Sequence, residues 1–255
     1  MRFFRFYAHY GNGPADQEAL DGAKTKAADL LNLSGERLHS EILKLLAAPN
    51  PYPSLQLMCD IKVIGYSLGM NHNFNPDLSP LERLIKTEQD RNLPPDPLLR
   101  LGVLLFGGKS LTSTAIKDMT KYLHLSNLEK KRLLGLATYD DFLTTLAQNS
   151  DINHILYYQG QGHLADLLLL CRSADIIHLS GFEPLWQQME SWIKPDFPIN
   201  GQDVTAHRTV QGPDIGKILH QVENWWITQS FKPDRAKCLI KLENIVTNQT
   251  GENKS

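Results

Sequence analysis

Residues 33–46 read LSGERLHSEILKLL, and this stretch carries the clearest fold signal in the chain. Its apolar side chains recur at spacings of three and four residues: Leu38, Ile42, Leu45 and Leu46. That period is typical of a helix with one buried face. Ser34 stands where an N-cap is needed, and Lys44 near the end of the run suits the negative pole of a helix. The stretch therefore predicts an amphipathic helix that begins after Ser34.

The same helical period continues along most of the chain, and strand-like alternation is nearly absent. A second apolar stripe has helical spacing: Leu57, Ile61, Ile64 and Leu68. Proline and glycine clusters interrupt the pattern, notably at 49–53, 94–95 and 107–108. The sequence therefore predicts an all-α fold, an elongated array of ten or more short helices.

Three helix starts are marked by capping residues. Ser79 and Ser126 each stand three residues before a glutamate. A hydroxyl at the N-cap and a carboxylate at N3 can together satisfy free backbone amides. Asp96 precedes a proline, which is favoured in the first helical turn. We expect a helix to begin at each of these residues.

The overall charge does not by itself indicate a nucleic-acid-binding protein. The 255 residues include 26 Lys plus Arg and 28 Asp plus Glu, for a net charge of -2. A strongly basic balance would have been expected if bulk electrostatics drove the binding of RNA. Any RNA affinity must therefore come from locally arranged cations.

The cysteines and the lengths of the apolar runs indicate in which cellular compartment the protein is expected. Cys59, Cys171 and Cys238 are too far apart for a zinc pattern, and each lies among aliphatic residues, which favours reduced core cysteines. No apolar run approaches the ~20 residues that cross a bilayer, and the N-terminal residues do not read as a signal peptide. These features predict a cytoplasmic protein.

The first ten residues, MRFFRFYAHY, place three potential cations on one helical face. These are Arg2, Arg5 and His9, at spacings of three and four residues. One interpretation is a solvated basic face above an aromatic core stripe made of Phe3, Phe6 and Tyr10. The other is a surface that contacts RNA. The residues alone leave both open.

This first segment resembles the helix that opens the neck of bacterial CCA-adding tRNA nucleotidyltransferases and their poly(A) polymerase relatives. The usual pattern there is Glu-Asp-x-x-Arg-x-x-Arg-phe-x-Arg-Phe, and Arg2 and Arg5 match its last two arginines. In that family the Asp and the first Arg of the pattern read the incoming CTP or ATP. By the resemblance those two residues would precede Met1, so we expect the chain to start inside a longer ancestral helix.

Residues 33–46 are similar to the second signature of the same neck, a Ser-x-Glu-Arg-x-x-x-Glu helix that ends in Lys-Leu-Leu. In the family, the Glu and Arg of this signature brace the helix that carries the nucleotide-reading residues. The resemblance gives that role to Glu36 and Arg37, with Ser34 and Glu41 completing the scaffold and Arg37 also facing RNA. Helix stability alone would explain the same charges.

A third resemblance lies near the end, in residues 197–204, FPINGQDV, and 211–219, QGPDIGKIL. These look like the body and tail segment of the same family. A helix that starts at Gly212 could hold a phosphate on its free amides, with Lys217 one turn inside. The alternative is that this segment is a turn followed by a helix that only packs against its neighbours, without a bound phosphate. Further candidate cations for the RNA lie nearby: His207, Arg208 and Lys237.

The catalytic pattern of that family is missing from the sequence. Its head domain carries a Gly-Gly turn and an Asp-x-Asp pair that holds two Mg²⁺ ions. The run from Gly107 to Ser110 lacks the earlier glycine of a phosphate loop and is interpreted as a helix C-cap. Asp140 and Asp141 would point about 100° apart on a helix, which favours N-capping. We predict no catalytic residue and no metal ligand, and expect Mg²⁺ and CTP or ATP only with a head domain.

The resemblance also implies an organisation and a function. It predicts a neck in residues 1–70, a helical body and tail in 71–247 and a disordered tail in 248–255. The chain would be the C-terminal, tRNA-binding part of a CCA tRNA nucleotidyltransferase, clamping the acceptor and T arms of tRNA and inactive without its head. Double replacement Arg2→Ala with Arg5→Ala should then weaken the binding of different tRNAs alike.

Two alternatives remain at this point. The chain could be a subunit of a split nucleotidyltransferase or poly(A) polymerase that acts in trans with a separate head chain. It could also be a helical protein–protein adaptor that kept the scaffold without RNA function, which would fit the slightly acidic net charge.

Overall fold

The computed structural model describes residues 1–107, 113–147, 152–206 and 212–252. Within these ranges all regular elements are helices, which confirms the predicted all-α class. The chain forms two compact units: residues 1–143 with 162–189, and residues 144–161 with 190–255. The division at residues 70 and 247 and the disordered tail stay predictions, and residues 253–255 of that tail lie outside the described ranges.

The first unit is built from short helices and one 3-10 helix, Ala27–Asn32. The helices are α1 (Arg2–Tyr10), α2 (Gln17–Thr25), α3 (Gly35–Leu46), α4 (Tyr52–Asp60), α5 (Val63–Ser67), α6 (Ser79–Asp90), α7 (Pro97–Phe106), α8 (Ser113–Tyr122) and α9 (Asn127–Leu136). None of the helices in the described ranges is long and apolar enough to cross a membrane.

Three helices contribute residues to both units: α10 (Tyr139–Ala147), α11 (Asn153–Ser173) and α12 (Leu179–Glu190). Gly160 interrupts α11, because its φ of 84° and ψ of 169° are not helical. Such a backbone conformation is open to glycine and strained for other residues. The second unit adds α13 (Gly201–Thr205), α14 (Gly212–Thr228) and α15 (Arg235–Glu252).

Two of the three predicted N-caps are confirmed and one is wrong. Ser126 and Glu129 form the reciprocal capping box at the start of α9. Asp96 accepts hydrogen bonds from the first backbone amides of α7. Ser79 instead lies inside α6, and Asp77 accepts from the Ser79 amide at 2.9 Å. A carboxylate two residues before the helix has thus displaced the hydroxyl that the sequence pattern favoured.

The predicted stripe in residues 57–68 is also corrected by the structure. α4 ends at Asp60 and α5 begins at Val63, because Lys62 adopts a left-handed conformation with φ 61°. The break rotates the buried face, so Leu57 and Ile61 are only half-buried. In α4 the buried apolar side chains are instead Leu55, Met58 and Cys59.

Helix α7 lies at the centre of the first unit and packs against α3, α6 and α9. Every residue from Leu98 to Phe106 is buried. The set includes one charged residue, Arg100, with 1% of its surface exposed. An apolar helix with no exposed face requires neighbours on all sides, and this requirement organises the unit around α7.

Arg100 joins three helices from inside this core. Its Nη2 and Nε donate to the Glu88 carboxylate of α6 at 2.6 and 3.0 Å. Its Nη1 donates to the carbonyls of Leu46 and Ala48, at the end of α3, both at 2.6 Å. Burial raises the pKa of Glu88, and the hydrogen bonds from Arg100 oppose that shift in part. The guanidinium therefore satisfies a buried charge and two buried carbonyls at once.

Glycines allow the end of α8 to lie against α3. A side chain at Gly35 would place its Cβ 1.8 Å from the Tyr122 carbonyl oxygen, and one at Gly69 would meet the Tyr122 ring at 2.1 Å. The Tyr122 hydroxyl donates to the Leu30 carbonyl at 3.2 Å. Tyr122 is thus held between the start of α3 and the residues that follow α5. It approaches Gly35 and Gly69 so closely that only glycine fits at either position.

A partly exposed ion-pair cluster links α7, α9 and α11. Arg132 donates to Asp96 at 2.6 Å and to Asp166 at 2.7 and 2.8 Å. Burial raises the pKa of Asp96. The hydrogen bonds from Arg132 and from the amides of Leu98 and Leu99 outweigh this effect and hold the pKa below its usual value.

Replacing Asp96 with asparagine is expected to lower the melting temperature most near neutral pH. An aspartate with a depressed pKa stabilises the fold above its unfolded pKa of about 3.9, and the contribution is lost as pH falls through the folded pKa. Asparagine still caps α7, so the substitution isolates the charge. Thermal unfolding followed by circular dichroism between about pH 7 and pH 2 measures the difference, which should shrink below about pH 4.

The matched control is Asp16→Asn at the N-cap of α2, where the aspartate accepts from the Ala19 amide at 3.0 Å. Within the described residues Asp16 has no arginine partner. A deficit of Asp96→Asn that stays constant down to about pH 2 would contradict the assigned role of the carboxylate.

The second unit has its own core around Trp226. The buried Trp226 ring lies 4.9 Å from Phe231 and 5.2 Å from Phe197, and its Nε1 donates to the Pro233 carbonyl at 2.9 Å. The neighbouring Trp225 is only half-buried. One tryptophan of the pair therefore faces the core, and the other lies at the edge of the surface.

All three cysteines are free and buried, which confirms the predicted core location. Burial raises the pKa of Cys59 to about 11 and that of Cys171 to about 12, with smaller effects from nearby aspartates. Burial also raises the pKa of Cys238. These side chains are therefore protonated thiols at neutral pH and poor nucleophiles.

Candidate nucleic-acid interface

Helix α1 is anchored along one side by α3 and α4. Arg5 Nε lies 2.9 Å from Glu41 Oε2, in an ion pair whose partners are largely buried. His9 Nε2 lies 2.7 Å from the Lys44 carbonyl oxygen. Ser54 Oγ donates to the Phe4 carbonyl at 2.7 Å in a buried contact. Two of the three cations predicted on α1 are therefore engaged with α3, and Arg2 is exposed.

The aromatic core stripe proposed for α1 is wrong. Phe4 is the buried ring, with 1% of its surface exposed, whereas Phe6 is 50% and Tyr10 74% exposed. Phe3 is half-buried. Aromatic residues surround this helix, so spacing alone cannot say which of them face inward; the packing of α1 on α3 and α4 selects Phe4.

The scaffold residues predicted in α3 divide into two groups. Ser34 caps the helix as expected, accepting from the Arg37 amide. Glu36 and Arg37 are exposed. The contact from α3 to α1 is made by Glu41, one of the predicted scaffold residues, through Arg5. Arg37 thus remains a candidate for contact with a ligand, and Glu41 holds α1 in place.

Two of the candidate cations of the second unit, Lys217 and Lys237, lie on α14 and α15. Lys217 is exposed and lies 3.1 Å from Asp214, which offsets its charge in the first turn of α14. This carboxylate weakens the case for a phosphate at the Gly212 start, since an anion there would be repelled. Lys237 is exposed on α15. His207 and Arg208 lie outside the described residues.

Sequence reasoning missed a second lysine beside Lys237. Lys241 lies one turn further along α15, and its Nζ is 5.7 Å from the centre of the Trp225 ring. The spacing of four residues was the available signal, because such residues share a helical face. The two lysines form a short basic strip next to a partly exposed ring.

The segment from Asn200 to Asp203 has a structural role. Asn200 accepts from the Gln202 amide and Asp203 accepts from the Asn200 amide, both at 2.9 Å, which forms a capping box for α13. Arg235 donates to Asp203 at 2.5 Å and to the Pro198 carbonyl at 2.8 Å. The Asn200 amide and Arg235 hold the pKa of Asp203 below its usual value. The segment therefore joins α13 to α15.

The remaining acidic residues do not gather into a metal site in the described ranges. No group of three or more His, Cys, Asp or Glu side chains there is placed to hold a metal ion. Asp140 and Asp141 lie in the first turn of α10. Carboxylates are favoured in that position by the helix dipole, but both residues lie inside α10, so the predicted N-cap role is wrong.

Comparisons with known proteins identify a matching family model and several similar enzymes. Residues 16–68, from α2 through α5, match the family model described as the probable RNA and SrmB-binding site of polymerase A. The mitochondrial CCA tRNA nucleotidyltransferases 1 of Mus musculus and Homo sapiens are each 24% identical over 250 residues, covering 94% of this chain and 53% of the relative. A CCA-adding enzyme of Staphylococcus aureus is 24% identical over 246 residues, covering 90% of this chain and 56% of the relative.

The chain thus spans about half the length of the curated relatives that it matches. The similarity extends over at least nine-tenths of the chain and includes both compact units. These matches confirm the predicted resemblance of the chain to CCA-adding enzymes and poly(A) polymerases.

Proposed function

We propose that this chain is the C-terminal, tRNA-holding helical part of a CCA tRNA nucleotidyltransferase. Nucleotidyl transfer, with its Mg²⁺, CTP and ATP, belongs in this proposal to a head domain outside the chain. The observation that carries the proposal is the match of residues 16–68 to an RNA-binding family model. These residues form the helices against which α1 is anchored.

The exposed cations supply the expected means of holding RNA. Arg2, Arg37 and Lys44 are exposed on α1 and α3, and Lys237 is exposed on α15. Guanidinium and ammonium groups bind phosphate oxygens without reading the base sequence. Folded RNA such as the acceptor and T arms of tRNA would then be recognised by its shape and backbone.

The double variant Arg2→Ala with Lys237→Ala is expected to weaken the binding of several different tRNAs to a similar extent. Arg2 replaces Arg5 in this test, because Arg5 also holds α1 through Glu41. Each lost phosphate contact should reduce the slope of log affinity against log salt by about 0.9. Filter binding between about 50 and 200 mM salt measures both quantities. A matched control is Lys131→Ala, an exposed lysine of α9.

Unchanged affinity and slope, with circular dichroism showing an intact fold, would exclude these two residues as phosphate contacts. A wild-type chain that binds no tRNA at low salt would instead favour the helical adaptor. The role of the head is tested separately: purified chain that incorporates CTP or ATP into tRNA with Mg²⁺ and no added subunit would overturn that part of the proposal. A separate head polypeptide stays a prediction without support from the matches.

A further inference from the structure

Helix α1 carries an exposed ladder of one cation and two aromatic rings. Arg2, Phe6 and Tyr10 follow one another at intervals of four residues, so that they share one helical face. Phe6 is 50% exposed and Tyr10 is 74% exposed. Their ring centres lie 6.2 Å apart with the planes inclined by 33°. We call these three residues the α1 ladder.

The α1 ladder is presented on a fixed support. The side of α1 opposite the ladder buries Phe4, and the flank next to the ladder is held by the contacts of Arg5 and His9 with α3. The Arg5 guanidinium also lies over the Phe6 ring, 4.5 Å from its centre, and restrains that ring from one face. Rings held in place lose little conformational entropy when a ligand stacks on them.

Most exposed apolar side chains elsewhere in the described residues are aliphatic, such as Leu128 at 78% and Ile193 at 86% exposure. Tyr158, an aromatic residue at 41% exposure, donates its hydroxyl to Glu223 at 3.0 Å. Single exposed aliphatic side chains are ordinary on protein surfaces. In the α1 ladder, by contrast, two rings lie next to a guanidinium group, a combination that suits a flat aromatic ligand attached to negative charge.

Unpaired bases of RNA have that chemistry. A base within a duplex is already stacked on its neighbours, whereas an unpaired base can stack on an exposed ring while its phosphate contacts a cation. The charge of the helical face agrees with such a partner. Arg2 is exposed, and the nearby carboxylate of Glu41 is already paired with Arg5.

We propose that the α1 ladder is a stacking platform for unpaired bases of the bound RNA, with Arg2 contacting the adjoining phosphate. This inference rests on the proposed RNA-holding function and adds to it the structural class of nucleotide that α1 takes. The rest of the cation set contacts phosphates of paired and unpaired RNA alike, whereas the α1 ladder distinguishes the two.

The test compares two RNA duplexes, each formed from two strands with the same paired sequence, one blunt at both ends and one with a single-stranded 3′ overhang that carries 2-aminopurine. Wild-type chain should bind the overhang RNA more tightly than the blunt RNA. In the double variant Phe6→Leu with Tyr10→Leu, affinity for the overhang RNA should fall about tenfold or more, because the stacking of unpaired bases on the two rings is lost. Affinity for the blunt RNA should not change.

The fluorescence of 2-aminopurine gives a second reading that does not depend on affinity. Stacking quenches it, so binding to saturation should quench the probe with wild-type chain and much less with the double leucine variant. Tyr10→Phe keeps the ring and should behave as wild type. Leu128→Ala removes an exposed apolar side chain outside the α1 ladder and should also have no effect.

The possible results distinguish the stacking platform from the RNA-holding function. Equal binding of both RNAs by wild-type chain would overturn the stacking platform and leave the RNA-holding function standing. An equal loss on both RNAs in the leucine variant would assign Phe6 and Tyr10 a structural role and also overturn it. Wild-type chain that binds neither RNA would overturn the proposed function itself.

Discussion

Replacing Arg100 with methionine is expected to lower the free energy of unfolding by about 3–5 kcal/mol, a large share of the 5–15 kcal/mol that stabilises a typical domain. Methionine fills most of the space but leaves the buried Glu88 carboxylate without its positively charged partner. The carbonyls of Leu46 and Ala48 lose their donor as well. Urea denaturation followed by circular dichroism measures the change.

The double variant Arg100→Met with Glu88→Leu should be more stable than Arg100→Met alone, because it removes the unpaired buried charge. It should not reach wild-type stability, since two carbonyls remain unsatisfied at about 1–3 kcal/mol each. Arg37→Met is the matched control: the same substitution at an exposed site of α3 should change stability by less than about 0.5 kcal/mol. If the effects of Arg100→Met and Glu88→Leu on the free energy of unfolding proved additive, the ion pair could not be the source of the lost stability.

Replacing Gly35 with valine is expected to destabilise the first unit by about 3 kcal/mol, the upper end of the usual range for overpacking. The new Cβ would fall 1.8 Å from the Tyr122 carbonyl oxygen and 2.6 Å from the His124 ring. The nearer contact is with backbone, so rotation of a side chain cannot relieve it. The start of α3 would have to move away from the end of α8.

Gly22→Ala supplies a control of opposite sign. Gly22 lies in the exposed part of α2, and a Cβ there would meet nothing within 4 Å. Alanine in such a position should stabilise the helix by about 0.5–1 kcal/mol. Both variants are compared with wild type by urea denaturation. Stability of Gly35→Val equal to or above that of wild type would show that the close approach at α3 is not required.

Both effects bear on the proposed interface through α3. Arg100 holds the end of α3, Gly35 allows its start to pack, and Glu41 between them anchors α1. The Arg100→Met and Gly35→Val variants should therefore also bind RNA less tightly. In both, the loss of affinity should accompany a loss of stability. The α1 ladder variants differ, because they are expected to change binding while the fold remains intact.

The candidate site was predictable from sequence only in part. Resemblance directed attention to α1 and α3, and Ser34 and Glu41 make contacts suited to a scaffold. The exposure of Phe6 and Tyr10 was not predictable, because rings on several sides of one helix give no single apolar face. Glu36 and Glu41 carry the same charge on the same helix, and only the contact of Glu41 with Arg5 of α1 distinguishes them.

By itself the sequence determined the helical class, the helix that begins after Ser34 and the caps at Asp96 and Ser126, because these depend on local spacing and on backbone groups within one turn. Only the tertiary structure decided the burial of Phe4 in place of Phe6 and Tyr10, the close approach of α8 to Gly35, and the pairing of Arg100 with Glu88. These features depend on which surfaces meet across many residues of chain, and the free energy of those contacts exceeds the weak preferences of any local pattern.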